Sequence, residues 1–346
     1  LNIQRIGVIG DGAMGTLCAL ILSGNKFSVQ MWGRDPQRVA GMAANHENAQ
    51  YLPGVKLPAE VSFTSQLHEL VTMSDVIICA VPTQHIRSVL QSSVRQPASA
   101  TPVVSVAKGI ENASLLCPTD IIAEIWPHVQ IGCISGPAIA HEIAAGLPAT
   151  IVAASKDDQL LSLMHQMFTA SHLRVYSNSD LHGVELAGAT KNIIAIAAGI
   201  LDGMAAGTNA KASLMTRGLV EISRLGMALG ANAETFSGLA GMGDLITTCF
   251  APHGRNRRFG QLIGTGLSAS EAIAQSSGVV EGMPTTQSVV DIAQRLGIEM
   301  PISEGLYEVL FHAAKPRDAI TKLMSRQPRY EGLSNDRRGA SPFTKA

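Results

Sequence analysis

Aromatic residues are scarce in this chain, at 4% of its 346 residues, and charged residues are few, at 15%. Hydrophobic residues nevertheless reach 46%, so sizeable cores must be built from Ala, Val, Ile, Leu and Met, and wholesale disorder is excluded. Neither sign of charge dominates: 26 Lys and Arg stand against 27 Asp and Glu, for a net charge of −1. That balance excludes a broad basic face for nucleic acid and an acidic tail. Cysteine is also sparse. Cys18, Cys79, Cys117, Cys133 and Cys249 are scattered, and none forms a C-x-x-C pair. A disulfide scaffold is excluded, and the five are expected to be reduced and mostly buried, as in a cytoplasmic protein. No apolar run reaches the ~18 residues a membrane span needs. The longest, Ile193–Leu201, is bordered by Lys191 and Asn192, and its Ala and Gly content suits close helix packing, so no membrane partner is expected. The chain opens directly into a strand-like segment at Gln4–Ile9, without the basic-then-apolar pattern of a secretory leader.

The length predicts about two domains at ~150 residues each. The first half alternates short β-branched runs with helical stretches. Strands are predicted at Arg5–Ile9, Ser28–Trp32, Val76–Ala80, Val103–Val106, Ile131–Ile134, Thr150–Ala153 and Leu173–Val175. The first five are nearly all apolar, which marks parallel strands covered on both faces. Alternation with helices indicates a doubly wound α/β sheet of Rossmann type. From Leu181 no strand is predicted, and helices dominate over roughly 181–202, 209–229, 232–240, 243–250, 255–264, 268–276, 284–296 and 303–313. The expected organisation is therefore a dinucleotide-binding domain over 1–180, an all-α substrate and catalytic domain over 181–326, and a mobile tail over 327–346. The polar pentad Tyr176–Asp180 marks the boundary.

Gly10-Asp11-Gly12-Ala13-Met14-Gly15 reads G-x-G-x-x-G, follows the first strand and opens a helical run at Thr16–Leu22. That context turns a weak motif into a dinucleotide fingerprint. Gly10 permits the tight turn, Gly12 lets the backbone approach the pyrophosphate, and Gly15 lets helix and strand pack closely. The free N–H groups of the helix start face the phosphates. Arg34, 24 residues after Gly10, suits the 2′-phosphate of NADP(H), while the neighbouring Asp35 leaves NAD(H) open. Asp11 places a negative charge beside the pyrophosphate, an expected cost to cofactor affinity. The third strand is stopped by Pro82; Lys108 and Gly136 likewise follow strand ends, at the sheet edge where ligands of open α/β sheets bind.

Lys191 and Asn192 sit in a helix that is apolar nearly all round. A lysine buried there is costly unless paired or functional, and desolvation draws its pKa toward the range useful for acid–base work; a structural ion pair is the competing reading. In Gly241-Met242-Gly243-Asp244, Asp244 stands four residues before Thr248, on one helix face, and its residue type also suits a helix N-cap. His253-Gly254-Arg255-Asn256-Arg257-Arg258 is the most basic cluster, and with the chain near neutrality it fits a small phosphate ester better than a polynucleotide. His141-Glu142 lacks the second histidine of H-E-x-x-H, and no His/Cys grouping carries metal-ligand spacing, so no metal is expected.

Together these segments resemble the bacterial NAD(P)-dependent glycerol-3-phosphate dehydrogenases from the N-terminus to about residue 325. Further matching motifs are Trp32–Asp35, Tyr51–Gly54, Ala107-Lys108-Gly109, Ser135-Gly136-Pro137, Glu142–Pro148, Tyr176–Asn178, Asn209–Ala212 and Val279–Gly282. The resemblance implies reversible hydride transfer between NAD(P)H and dihydroxyacetone phosphate, giving sn-glycerol 3-phosphate for phospholipid synthesis. It implies that Lys191 is the general acid–base residue, with Lys108 and Asp244 beside it. Gly136, Ala138, Asn192, Thr248, Gly254, Arg255 and Asn256 then line the substrate site. Ala13, Met14, Arg34, Lys108, Ala140, Arg255, Val279 and Glu281 match cofactor contacts. Met14, Ala107, Ala138 and Gly254 depart from residues common in the family. A related hydroxy-acid or keto-acid dehydrogenase and a non-catalytic NADP(H) sensor are the alternative readings, and the apolar helical half makes a homodimer an expectation.

Overall fold

The protein is described by a computed structural model over residues 3–276 and 278–327. The tail expected from 327 onward lies, Gln327 apart, outside the described residues. Eight strands form one sheet: β1 (Arg5–Ile9), β2 (Ser28–Trp32), β3 (Val61–Thr64), β4 (Val76–Cys79), β5 (Pro102–Ser105), β6 (Gln130–Ser135), β7 (Ala149–Ser155) and β8 (Leu173–Asn178). Their order is β3-β2-β1-β4-β5-β6-β7-β8. The helices among them are α1 (Ala13–Gly24), α2 (Pro36–Asn45), α3 (Leu67–Met73), α4 (Thr83–Gln91), α5 (Pro118–Ile125), α6 (Ala140–Ala144) and α7 (Asp158–Phe168).

Side-chain alternation splits the sheet's apolar residues between two cores. Ile6, Val8 and Ile78 pack with Leu17 of α1 and Met164 of α7 on one face. Ile9, Ile77 and Cys79 pack with Leu70, Ile86 and Ile121 of α3, α4 and α5 on the other. The chain thus has its Rossmann-like sheet, with the five apolar strands parallel as expected and one further strand that the sequence pattern misses. Strand β3 is an edge strand of only four residues with a single buried position, so it offers no apolar run to detect. The sheet is also not wholly parallel: β7 pairs antiparallel with β6, Ile134 opposite Ala153, and β8 runs parallel to β7. Of the boundary pentad Tyr176–Asp180, Tyr176, Ser177 and Asn178 belong to the end of β8.

After β8 every regular element among the described residues is helical: α8 (Leu181–Gly203), α9 (Thr208–Ala228), α10 (Ala233–Ser237), a π-helical turn (Leu239–Gly243), α11 (Asp244–Phe250), α12 (Arg255–Gly264), α13 (Ala269–Ala274), α14 (Gly282–Leu296), α15 (Pro301–Phe311) and α16 (Pro316–Met324). Sequence patterning misses α16, which buries no residue fully and only leans Ala319 and Leu323 on the core. Helix α8 is long and apolar enough to cross a membrane by composition, yet 94% of its most apolar stretch is buried inside the protein. It is the axis of the helical core. A Cβ on Gly199 would stand 1.9 Å from the Arg257 carbonyl oxygen, and one on Gly260 would stand 2.0 Å from that of Ile196. The two backbones therefore touch, and α12 delivers its first residues to the region of α8 that carries Lys191. All five cysteines are buried and free.

Candidate active site

The first site is the turn from β1 into α1. Gly10 has φ +115° and would place a Cβ 2.6 Å from the Ala80 carbonyl oxygen; a Cβ on Gly15 would lie 2.1 Å from the Gly10 carbonyl oxygen. Both glycines are demanded by packing. A Cβ on Gly12 would meet nothing within 4 Å, so the space before the helix start is clear. Gly12 is the N-cap and supplies no side-chain cap, which leaves the first-turn N–H groups, beginning at Ala13 and Met14, for a ligand.

Asp11 is paired with Arg38. The Arg38 Nε donates to Asp11 Oδ2 at 2.6 Å, and that hydrogen bond holds the guanidinium pKa above its usual value. Arg38 also lies over the Tyr51 ring, 5.5 Å from its centre. Asn48, fully buried, donates to the Asp11 carbonyl oxygen and to Thr16 Oγ1, both at 2.7 Å. The segment 48–51 thus braces the fingerprint turn, a role no local sequence signal announces. Arg34 is exposed at the end of β2, while Asp35 is spent capping α2 through the Gln37 and Arg38 N–H groups.

The second site is a charged relay beneath the sheet edge. Asp244 is 1% exposed and accepts from two lysines. Lys108 Nζ donates to its Oδ2 at 2.6 Å, and Lys191 Nζ donates to its Oδ1. Lys108 also donates to the Gly136 carbonyl oxygen at 2.9 Å, and Lys191 to Thr248 Oγ1 at 2.5 Å. Asn192 Nδ2 donates to the Lys108 carbonyl oxygen at 3.2 Å, fixing the strand end that carries that lysine. Asp244 is not an N-cap, contrary to what its residue type suggests: Gly243 holds that position, and the preceding π-turn swings the carboxylate inward. Burial lowers the Lys191 pKa to about 8; Asp244 opposes that fall and Lys108 adds to it. One carboxylate therefore serves a buried and a half-buried cation, an arrangement able to hold and release a proton near neutral pH.

The third group joins the two halves. Glu281 Oε1 accepts the Thr83 N–H at 3.0 Å, at the start of α4. Glu281 Oε2 and Thr83 Oγ1 are buried without hydrogen-bond partners, both beside Gly109. Burial raises the Glu281 carboxyl to about 7, with the Thr83 N–H and Arg255 pulling the other way. These orphaned atoms, with the clear space at Gly12, fit a polar cofactor running from the fingerprint turn toward the lysines. Thr83 carries no sequence signal beyond following the strand-stopping Pro82.

Arg255 and Asn256 open α12 behind the N-cap Gly254. Asn256 Oδ1 accepts the Gly282 N–H at 3.0 Å, and Arg255 is exposed. Arg257, in the same cluster, is instead tied to Asp202 at 2.6 Å. The fold thus joins Lys108, Gly136, Lys191, Asn192, Asp244 and Thr248 by direct hydrogen bonds, and places Arg255, Asn256 and Glu281 in a neighbouring group. Ala138 and Ala140 are half-buried against the nucleotide core without polar contacts, and Val279 is exposed. A cavity of about 690 Å³ opens next to the relay, between Pro137, Glu142, Arg174 and Thr247, and none of the three charged residues lines it.

Comparison with known proteins supplies the remaining finding. Residues 5–161 match the family profile of the N-terminus of NAD-dependent glycerol-3-phosphate dehydrogenase, and residues 180–321 match that of its C-terminus. A glycerol-3-phosphate dehydrogenase (NAD(P)+) of Citrifermentans bemidjiense is 41% identical over 333 residues, covering 95% of this chain and 99% of that one. One from Staphylococcus epidermidis is 44% identical over 331 residues, covering 95% and 100%. The crystal structure of a glycerol-3-phosphate dehydrogenase from Coxiella burnetii superposes with a TM-score of 0.90 at 34% identity, covering 94% of this chain and 99% of that one.

Proposed function

The chain belongs to the NAD-dependent glycerol-3-phosphate dehydrogenase family and is an NAD(P)-dependent oxidoreductase, and we propose that the Lys108–Asp244–Lys191 relay is where it interconverts dihydroxyacetone phosphate and sn-glycerol 3-phosphate. The observation that carries this reading is a lysine only 5% exposed, held against a shared carboxylate, with its pKa lowered to about 8. The bound dinucleotide supplies or accepts the hydride at its nicotinamide ring. Everything else is the work of the chain's own side chains.

In the reductive direction the Lys191 ammonium donates its proton from Nζ to the substrate's C2 oxygen. In the oxidative direction the neutral Nζ takes that proton back. Asp244 keeps enough positive charge on Lys191 for it to act as an acid near neutral pH. Lys108, donating to the same carboxylate, stabilises negative charge on the oxygen during transfer. Asn192 and Gly136 hold Lys108 in place, and Thr248 fixes the Lys191 ammonium. The exposed Arg255 guanidinium offers a bidentate fork to the substrate phosphate, and Asn256 anchors the turn next to it. Arg34 would hold the 2′-phosphate of NADP(H), and the first-turn N–H groups of α1 would hold the pyrophosphate. We also place the functional division near Asp180, with a dinucleotide-binding part before it and the substrate-binding helices after it. The five free, buried thiols support a reducing, cytoplasmic setting.

The test is oxidation of NADPH and of NADH, measured separately, by purified protein given dihydroxyacetone phosphate at pH 7. Lys191→Ala is expected to lower the rate by about 10²- to 10⁴-fold, the usual worth of a positioned acid–base group. Wild-type protein that binds both cofactors and oxidises neither would overturn the reading. So would a Lys191→Ala enzyme of undiminished rate.

A further inference from the structure

Along the chain, Cys117, Asp120 and His182 form no motif. The fold gathers them at the junction of α5 and α8. Cys117 is the N-cap of α5, Asp120 is its N3 residue, and His182 is the second residue of α8. One ligand atom from each lies within 4.8 Å of the other two, and His182 Nδ1 stands 3.9 Å from Asp120 Oδ2. The cysteine is 2% exposed, whereas the Asp120 and His182 side chains are 45% and 39% exposed, so the group is closed at the sulfur and open to solvent opposite it. None of the three takes part in the lysine relay.

We propose that these residues form a binding site for a divalent transition metal of the zinc class, which ties α5 of the nucleotide-binding half to the first turn of α8. The donor set argues for that class: thiolate sulfur, imidazole nitrogen and one carboxylate oxygen suit Zn²⁺ and its neighbours, and the sulfur argues against Mg²⁺ or Ca²⁺. The geometry is close. Zinc bonds of about 2.0–2.3 Å at tetrahedral angles separate neighbouring ligand atoms by roughly 3.3–3.7 Å. The observed group must therefore draw in by up to about 1.5 Å, which the half-exposed Asp120 and His182 side chains can do by rotation. The charge is favourable as well. Among the described residues no lysine or arginine is paired with Asp120, whose carboxylate stands beside His182. Water completes the fourth position from the open side. On binding, the Cys117 S–H bond breaks and its proton leaves to solvent as the sulfur–metal bond forms; no electrons are transferred.

Chelator-treated, dialysed full-length protein titrated with Co²⁺ tests this directly. About one equivalent is expected to produce the near-ultraviolet thiolate-to-cobalt charge-transfer band, and Zn²⁺ is expected to abolish it while raising the melting temperature. Cys117→Ser, which retains a capping hydroxyl, should lose the band. His182→Ala, at a half-exposed position, should weaken Co²⁺ binding by at least about tenfold, and it keeps the test decisive if the cysteine variant does not fold. Absence of the band in the wild type, its persistence in Cys117→Ser, or an unchanged affinity in His182→Ala would each overturn the proposal.

Discussion

Replacing Asp244 by Asn changes one buried charge and almost no volume, and the consequence can be worked from the relay. The carboxylate accepts from Lys108 at 2.6 Å and from Lys191, and it is 1% exposed. Its loss leaves two ammonium groups facing one another without a counterion. Removing one partner of a buried ion pair costs about 3–5 kcal/mol when the other stays charged. The protein can avoid most of that cost by releasing the Lys191 proton. The Lys191 pKa, already lowered to about 8 by burial, then loses the one strong influence holding it up and keeps the repulsion from Lys108. A further fall of about one unit corresponds to ~1.4 kcal/mol, well inside the available range. The reductive reaction needs the ammonium, so its rate declines as pH rises through the Lys191 pKa. In the wild type that decline is centred near pH 8; in Asp244→Asn it should move to about pH 7 or below. At neutral pH the protonated fraction falls from about nine-tenths to half or less, and misplacement of the two lysines lowers the rate further, to a total of about 10²-fold. The assay is kcat/KM for dihydroxyacetone phosphate against pH, with near-ultraviolet circular dichroism to confirm folding. A folded Asp244→Asn enzyme whose alkaline limb stays within about 0.3 unit of wild type, at a rate within about threefold, would refute the shared-carboxylate mechanism.

Arg34→Ala should lower kcat/KM for NADPH by about 10- to 100-fold, the worth of a charge-assisted hydrogen bond, and leave NADH unaffected; equal loss with both cofactors would remove Arg34 from the 2′-phosphate. Arg38→Ala should weaken dinucleotide binding by about three- to tenfold in a fluorescence titration because it frees the Asp11 charge, and adding Asp11→Ala should restore affinity; no restoration would mean that Arg38 acts by another route. Gly199→Ala should destabilise the fold by about 1–3 kcal/mol or more in urea melts, since its Cβ meets the Arg257 carbonyl oxygen at 1.9 Å. The control Gly41→Ala, with nothing within 4 Å in the middle of α2, should instead stabilise by about 0.5–1 kcal/mol.

Much of this protein is readable without coordinates because the relevant physics is local. Strands β1, β2, β4, β5 and β6 announce themselves as short apolar runs, since both sheet faces are covered. The Gly10–Gly15 turn is legible because only glycine fits where the backbone of α1 meets Gly10 and Ala80. Lys191 stands out because a cation inside an apolar helix needs a reason to be there. Other features have no local signature. Strand β3 is an edge too polar and too short to show a pattern, and α16 rests on the surface.

What the sequence by itself determined is therefore the set of elements, the kind of cofactor and the roster of charged residues at strand and helix ends. Only the tertiary structure decided which charges meet. Asp244 looked like a cap until the π-turn carried it inward to two lysines drawn from positions 108 and 191. Asp11 looked like a liability until α2 returned Arg38 to it. Cys117 and His182 became neighbours only when α8 packed against α5. The reason is one of range. Hydrophobic periodicity and turn chemistry act over a few residues, whereas electrostatic pairing depends on distances in space that chain separation does not encode.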